Sequence, residues 1–274
     1  MADIRISAFV AVTSVVFLAT AYSVVYGTYI DTSDPLLSHL PHPLSQSIYW
    51  ATKSNFLNVY FIKYAWGWTS AAFLFSWATS SPDTRTASRM LKWVTETAAW
   101  LVFTSWFFGP ALLDRAILMS GGDCFVSLPS GETMTVPHDF CFTKSTLTPA
   151  ETHLFSASFV APPGWEGKPR LRRGHDVSGH IFLLTMSILF LADQLRPSLR
   201  HPFTHWPTIH KYAVAANMAL LATWLFASAT TSAYFHSPLE KITGYILGVM
   251  TFGLTQIPSL IKANTVRAEK LHSS

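Results

Sequence analysis

Long apolar runs separated by short polar segments dominate the chain, and this pattern predicts a membrane protein. A membrane-spanning helix needs roughly 20 apolar residues. Six stretches reach or approach that length, and they are Ser7–Tyr26, Phe56–Thr79, Met90–Pro110, Gly179–Leu195, Tyr212–Phe235 and Ile242–Ile261. We therefore expect an all-α fold, a polytopic bundle of six transmembrane helices within a single membrane domain, residues 1–274.

The composition supports this interpretation. Hydrophobic residues make up 50% of the chain, charged residues only 12%, and the mean hydropathy is +0.29, which is too apolar for an ordinary soluble domain. The net charge of +4 comes from Lys and Arg that lie between apolar runs. Such residues orient a chain in the membrane and do not form a nucleic-acid-binding face, so no nucleic-acid partner is expected. The N-terminal run lacks a small-residue cleavage site and is expected to be a retained span.

The basic residues predict the orientation. The segments at one side of the membrane contain Arg5, Arg85, Arg89, Lys92, Arg196, Arg200, Lys211, Lys262, Arg267 and Lys270. The short loop 27–55 on the other side contains Lys53 as its single basic residue, against Asp31 and Asp34. Because short loops rich in Lys and Arg stay in the cytosol, both termini should be cytosolic. The loop 119–177 should then be lumenal, although it is basic, because long loops orient a chain weakly.

The two cysteines, Cys124 and Cys141, both lie in that long loop. No Cys-x-x-Cys pair is present, so a zinc ribbon or a thioredoxin-type site is not expected. A lumenal position permits a disulfide between the two cysteines. Two free thiols are the alternative.

Titratable residues cluster at the predicted lumenal ends of the helices. The fourth span begins at "HDVSGHIFLL" with Asp176, Ser178 and His180, and the fifth ends at "TSAYFHSPLEK" with His236. Lys63 lies about two turns into the second span, where a charge is costly unless a partner or water is near. These residues come from distant parts of the chain, yet they should reach one level of one leaflet.

The cluster has the chemistry of a phosphate site. Helix N-termini offer N–H groups and a partial positive charge, and Gly179 would let an oxyanion approach the backbone closely. The two imidazoles could transfer a proton or attack phosphorus, while Lys63 could stabilise the charge. Neither a metal nor a cofactor is expected to take part.

Purely structural roles remain open for several of these residues. Ser178 and Asp176 have the side chains of helix N-caps. The sequence "SPLE" ending at Glu240 reads as a capping box with proline at the first helical position. Lys63 could extend to the lipid headgroups instead of entering a site.

At these residues the chain resembles the fat storage-inducing transmembrane (FIT) family, in its fungal branch. The resemblance rests on "NFLNVYFIKYAWGWT" (Asn55–Thr69), "HDVSGHIFLL" (His175–Leu184) and "TSAYFHSPLEKITG" (Thr231–Gly244). It implies a multi-pass protein of the endoplasmic reticulum (ER) membrane that supports lipid droplet formation and ER membrane homeostasis. It also implies fatty acyl-CoA diphosphatase activity, which yields acyl-phosphopantetheine and adenosine bisphosphate. Fatty acyl-CoA or a related lipid phosphate, neutral lipid and the membrane are the implied partners.

The family is related to lipid phosphate phosphatases, and that relationship implies residue roles. Their Ser-Gly-His motif matches Ser178 to His180 and makes His180 the general acid, while His-x-x-x-acid matches His236 and Glu240 and makes His236 the nucleophile. Glutamate here replaces the phosphatases' aspartate. Their arginine six residues before the nucleophile is Thr230 in this chain, and their Lys-x6-Arg-Pro motif is absent. Phosphate neutralisation must come from elsewhere, with Lys63, Arg172 and Arg173 as candidates.

Three other functions are compatible with parts of the sequence. His201 and His205 have the His-x3-His spacing of membrane di-iron desaturases, but Pro202 and Pro207 interrupt the helix that such a site needs. A non-catalytic protein that binds diacylglycerol or triacylglycerol and partitions it into droplets is the stronger alternative. No matched pair of Gly- or Pro-broken helices favours a transporter.

Overall fold

The structure is a computed structural model that describes residues 3–30, 40–105, 110–154 and 162–272. Within these ranges the helices are α1 (Ile4–Val25), α2 (Ala65–Thr79), α3 (Ala87–Thr104), α4 (Leu112–Met119), α5 (His138–Phe142), α6 (Gly179–Leu199), α7 (Thr208–Tyr234) and α8 (Pro238–His272). The strands are β1 (Asp123–Ser127), β2 (Thr133–Thr135) and β3 (Arg170–Arg172). The chain is thus mostly helical, as the apolar pattern predicts.

Helix α6 is the centre of the bundle. It is buried along nearly its whole length, and α1, α2, α3, α7 and α8 all pack against it. Among the described helices, α1, α6 and α7 are long and apolar enough to cross a membrane. Because α6 is surrounded by other helices, its polar side chains can contact protein on every face.

Two glycines bring α8 close to α6. A Cβ on Gly244 would lie 2.6 Å from the Ser178 carbonyl oxygen, and one on Gly248 would lie 2.7 Å from the Phe182 carbonyl oxygen. Small residues four positions apart let helix backbones approach in this way. The contact sets the start of α8 beside the start of α6, where His180 lies.

The second predicted span is not one continuous helix. A π-helical turn occupies Leu57–Phe61 and a 3₁₀ turn Ile62–Tyr64, and the α-helix starts only at Ala65. Two asparagine side chains form hydrogen bonds with the backbone here. Asn55 Oδ1 accepts from the Asn58 N–H, and Asn58 Nδ2 donates to the Lys53 carbonyl. Such bonds compete with the regular hydrogen bonds of an α-helix. The helix predicted over Phe56–Thr79 is therefore irregular in its first two turns, and Lys63 lies in the 3₁₀ turn.

The loop 119–177 contains a three-stranded antiparallel sheet in the order β2-β1-β3, so the all-α description does not extend to it. Cys124 pairs with Leu171 across β1 and β3, and a disulfide joins Cys124 to Cys141 at the end of α5. The loop has a small apolar core of its own, formed by Ile117, Cys124, Val126, Val136, Leu147 and Leu171. Strands of three to five residues carry too little alternation to be predicted from sequence.

Two other helix boundaries differ from the predictions. The third span was expected over Met90–Pro110, but α3 ends at Thr104, and residues 106–109 lie outside the described part of the chain. Helix α8 continues to His272, past the predicted end at Ile261. The apolar pattern marks the part of a helix that suits lipid and not where the helical backbone ends.

Candidate active site

A cavity of about 310 Å³ opens at the end of the bundle where α6 and α8 begin and α7 ends. His180, His236 and Lys63 all line it. The structure therefore brings together three residues that the sequence places far apart, at the level where their helices were expected to meet. Lys53, Arg170 and Thr230 also line this cavity, which we call the histidine cavity.

His236 occupies a strained position between α7 and α8. Its φ of 61° lies in the left-handed region, which residues other than glycine rarely adopt. Neighbouring backbone contacts hold the segment, because Ile30 forms a parallel bridge with Phe235 and its N–H donates to the Tyr234 carbonyl at 3.2 Å. Strain maintained in this way is typical of functional sites.

Glu240 both caps α8 and contacts His236. Its Oε2 accepts a hydrogen bond from the Ser237 N–H at 2.8 Å, which is the capping-box contact. The same oxygen lies 3.4 Å from His236 Nδ1, and the carboxyl group is buried. The two roles proposed for Glu240 are therefore compatible. A carboxylate on Nδ1–H leaves the lone pair of a neutral imidazole on Nε2.

His180 lies in the first turn of α6, within electrostatic range of His236 and Lys63. Ser178 is buried and acts as the N-cap, since its Oγ accepts from the Ile181 N–H at 3.4 Å. The Ser178 N–H donates to the Glu240 carbonyl at 3.1 Å and so ties the starts of α6 and α8 together. Gly179 faces α4, because a Cβ there would meet Leu113 at 3.7 Å. Neither Ser178 nor Gly179 lines the histidine cavity.

Of three loop residues in the predicted set, two lie beside the histidine cavity. Asp176 and Arg172 line a neighbouring cavity, where burial raises the pKa of the Asp176 carboxyl and the nearby His236 opposes that rise. Arg173 points elsewhere, with its guanidinium 4.7 Å from the Phe125 ring centre. Of the two arginines considered for phosphate neutralisation, only Arg172 is near the site.

Lys53 and Arg170 are cavity residues that the sequence did not single out. Lys53 comes from the segment before α2 and Arg170 from β3. Burial lowers the pKa of Lys53, and the charges of Arg172 and Arg170 lower it further, so these cations lie near one another. A signal was available, because Lys53 is the lone basic residue of its short loop and Arg170 belongs to a basic run that opposes the orientation rule.

The histidines at the other end of the bundle have contacts that suit packing. His210 Nδ1 lies 3.0 Å from Thr79 Oγ1, and its Nε2 lies 3.0 Å from Ser198 Oγ, so it bridges three helices. His205 lies in a short 3₁₀ turn at Phe203–His205. In the described part of the chain, no three His, Cys, Asp or Glu side chains are grouped to hold a metal ion.

Comparison with known proteins decides the family. A family model described as "Fat storage-inducing transmembrane protein" (FIT) matches residues 46–218 and 203–255. This chain belongs to the FIT family. The family expected from the three sequence motifs is thereby confirmed, and the matched ranges include every residue named above as lining the histidine cavity.

Curated FIT proteins resemble this chain over most of its length. "Acyl-coenzyme A diphosphatase fit1" of Schizosaccharomyces pombe is 26% identical over 76% of this chain and 73% of its own. "Acyl-coenzyme A diphosphatase FITM2" of Xenopus tropicalis is 29% identical over 78% of this chain and 73% of its own. "Fat storage-inducing transmembrane protein 1" of Mus musculus is 28% identical over 81% and 67%. No solved structure matches this chain.

Proposed function

We propose that this protein is a membrane hydrolase that cleaves the pyrophosphate of fatty acyl-CoA, giving acyl-phosphopantetheine and adenosine bisphosphate. The observation that carries the proposal is a single cavity lined by two histidines and by Lys53, Lys63 and Arg170. Two of the similar proteins are named acyl-coenzyme A diphosphatases. Removal of excess acyl-CoA in the ER would support membrane homeostasis and lipid droplet formation.

In the first step His236 Nε2 attacks one phosphorus of the pyrophosphate. A P–N bond forms, the bridging P–O bond breaks, and the leaving phosphate oxygen takes a proton from His180. Water then attacks the phosphohistidine, the P–N bond breaks, and a proton from that water returns to His180. The carboxylate of Glu240, 3.4 Å from His236 Nδ1, stabilises the positive charge of the phosphorylated imidazole.

Lys53, Lys63 and Arg170 take the place of the arginine that lipid phosphate phosphatases carry at the position of Thr230. Thr230 lines the same cavity as these three cations, so positive charge is supplied to that position from other parts of the chain. Cations that line a cavity in this way stabilise the charge that develops on the phosphate oxygens.

The site would face the ER lumen, with six spans and both termini in the cytosol. Support comes from the charges of the short loops and from the Cys124–Cys141 disulfide, because disulfides persist in oxidising compartments. Arg170, in the same loop, lines the histidine cavity, so loop and site share one side. A glycosylation or cysteine tag near Ser130 should therefore be modified in the lumen. Labelling of that tag from the cytosol would contradict the orientation and the lumenal site.

Turnover by the purified protein tests the activity. Wild-type protein in detergent should cleave acyl-CoA in preference to other lipid phosphates, and His236→Ala should lower kcat by at least about 10³-fold. His201→Ala, at the opposite end of the bundle, is the matched control and should keep wild-type turnover. A trapped phosphohistidine that is present in wild type and missing in His236→Ala would establish the nucleophile. Wild-type turnover in His236→Ala would refute the mechanism.

A non-catalytic lipid-binding function is the second candidate. It is favoured by similar proteins, such as that of Mus musculus, whose names describe fat storage and no reaction. Under this function the polar cavity would hold the glycerol of diacylglycerol or triacylglycerol, and His180→Gln or His236→Gln would be tolerated. Binding of a labelled diacylglycerol by a wild-type protein that cleaves no phosphate ester or anhydride would favour it.

A further inference from the structure

A second cavity of about 490 Å³ adjoins the histidine cavity on the side of the sheet. We call it the basic annex, and its charged lining residues are Lys144, Lys168, Arg170, Arg172, Asp114 and Asp176. Arg170 lines both cavities, so the two are neighbours that share a wall. The volume is within the range of about 300–1,000 Å³ that is usual for small-molecule sites.

The charges of the annex favour an anion. Four of its lining residues are cations and two are carboxylic acids. Burial raises the pKa of both Asp114 and Asp176 and lowers the pKa of Arg172, a shift that the neighbouring Asp176 opposes and Arg170 increases. Crowded cations of this kind are stabilised by a ligand that carries several negative charges.

The local fold places these charged side chains along the wall of the annex. Along β3, Arg170 and Arg172 point to one face and Leu171 to the other, where it is buried in the small apolar core. Cys141 lines the annex, and its disulfide to β1 joins the wall that carries Lys144 to the sheet that carries the arginines. The hydroxyl groups of Ser145 and Thr146 add hydrogen-bonding capacity to the same wall.

We propose that the basic annex binds the nucleotide half of acyl-CoA, with two of its exposed cations, Lys144 and Lys168, facing the 3′-phosphate of the ribose. The proposal rests on the proposed function, since the pyrophosphate must lie in the histidine cavity. The adenosine with its 3′-phosphate then extends past Arg170 into the annex. The acyl-phosphopantetheine half extends from the histidine cavity in the direction opposite to the annex. Binding in the annex thereby distinguishes coenzyme A esters from simpler lipid pyrophosphates.

A comparison of two substrates that differ by one phosphate tests the annex. We expect wild-type protein to show a kcat/KM for acyl-CoA about tenfold or more above that for acyl-3′-dephospho-CoA. Lys168→Gln should reduce that ratio, and the double variant Lys144→Gln/Lys168→Gln should bring it close to one. Arg173→Gln removes a charge from the same loop at a residue that lines neither cavity, so it should keep the wild-type ratio. A ratio of one in wild type, or one unchanged in the double variant, would overturn the annex.

Direct binding separates this proposal from the proposed function. By calorimetry, adenosine 3′,5′-bisphosphate should bind wild-type protein more tightly than adenosine 5′-monophosphate, and the double variant should lose about tenfold in affinity for the bisphosphate alone. This result without turnover of either substrate would support the annex and refute the hydrolase. Turnover without selective bisphosphate binding would support the hydrolase and refute the annex. Thermal melting of each variant verifies that it is folded.

Discussion

Charged side chains cluster at both ends of the bundle, but their surroundings differ between the two ends. At the site end, Lys53, Lys63 and Arg170 line an open cavity together with the histidines. At the opposite end the charged side chains form ion pairs and hydrogen bonds with other protein groups. Lys92 Nζ lies 2.7 Å from Asp193 Oδ2, and Arg89 donates to the side chain and the carbonyl of Gln194, both at 2.9 Å.

The difference separates charges that line a cavity from charges that hold helices together. Helix α6 contributes to both ends, with His180 in its first turn and Asp193 13 residues later, which is about 20 Å along the axis. Asp193 is buried and interacts with Lys92 of α3 and Arg5 of α1, so it fixes three helices. Substitutions at the site end should therefore affect catalysis first, and those at the opposite end stability first.

After His236→Ala, the largest effect is expected for His180→Ala. Loss of a general acid should lower kcat by about 10²–10⁴-fold with little change in melting temperature. The loss should shrink for substrates whose leaving phosphate carries an electron-withdrawing group, because such a group departs without a proton. His205→Ala is the control, being a histidine of the opposite end. An equal loss for good and poor leaving groups would exclude His180 as the acid.

The site residues that could be predicted from the sequence are those whose position follows from a helix. His180 and His236 lie at ends of apolar runs and Lys63 lies about two turns into one, and the orientation rule places these ends on one side. Lys53 and Arg170 could not be found in this way, because Lys53 lies in an irregular segment and Arg170 in a three-residue strand, and both reach the cavity only through tertiary contacts. The same is true at the opposite end, where Arg5, Arg89 and Lys92 were interpreted as orientation signals although they also pair with α6.

The stability effect expected at the opposite end is tested by Asp193→Leu. Removing this carboxylate takes from Lys92 its ion-pair partner at 2.7 Å, which should cost about 3 kcal/mol or more of unfolding free energy, while Arg5 keeps its closer contact with Asp3 at 2.8 Å. The turnover per folded molecule should stay at the wild-type value. Adding Lys92→Met should restore part of the stability, because the uncompensated lysine is then gone. Denaturant titration of both variants, each paired with an activity assay, checks the result. Lost turnover with unchanged stability would contradict the proposed difference between the two ends.

The disulfide is a feature of the site end, and its removal should affect the loop more than the bundle. Closing a loop with a separation of 17 residues is worth about 3 kcal/mol. The double variant Cys124→Ser/Cys141→Ser should be cut faster by protease within residues 119–177, while the helices melt near the wild-type temperature. Mass spectrometry of the wild-type protein without reductant should find Cys124 joined to Cys141. Two free thiols in protein isolated from the ER would contradict both the pairing and the lumenal position.

The smallest effect, and the one that tests whether stability and catalysis are separate at the site end, is expected for Glu240→Gln. The amide oxygen of glutamine can still accept from the Ser237 N–H, so the cap should lose no more than about 1 kcal/mol. The amide cannot offset the charge on His236, whose Nδ1 lies 3.4 Å away, so kcat should fall about tenfold while KM changes little. Glu132→Gln changes an exposed glutamate of the long loop and should affect neither quantity. A Glu240→Gln variant that lost stability and kept wild-type kcat would show that Glu240 serves only as a cap, and the site end would then resemble the opposite end at this residue.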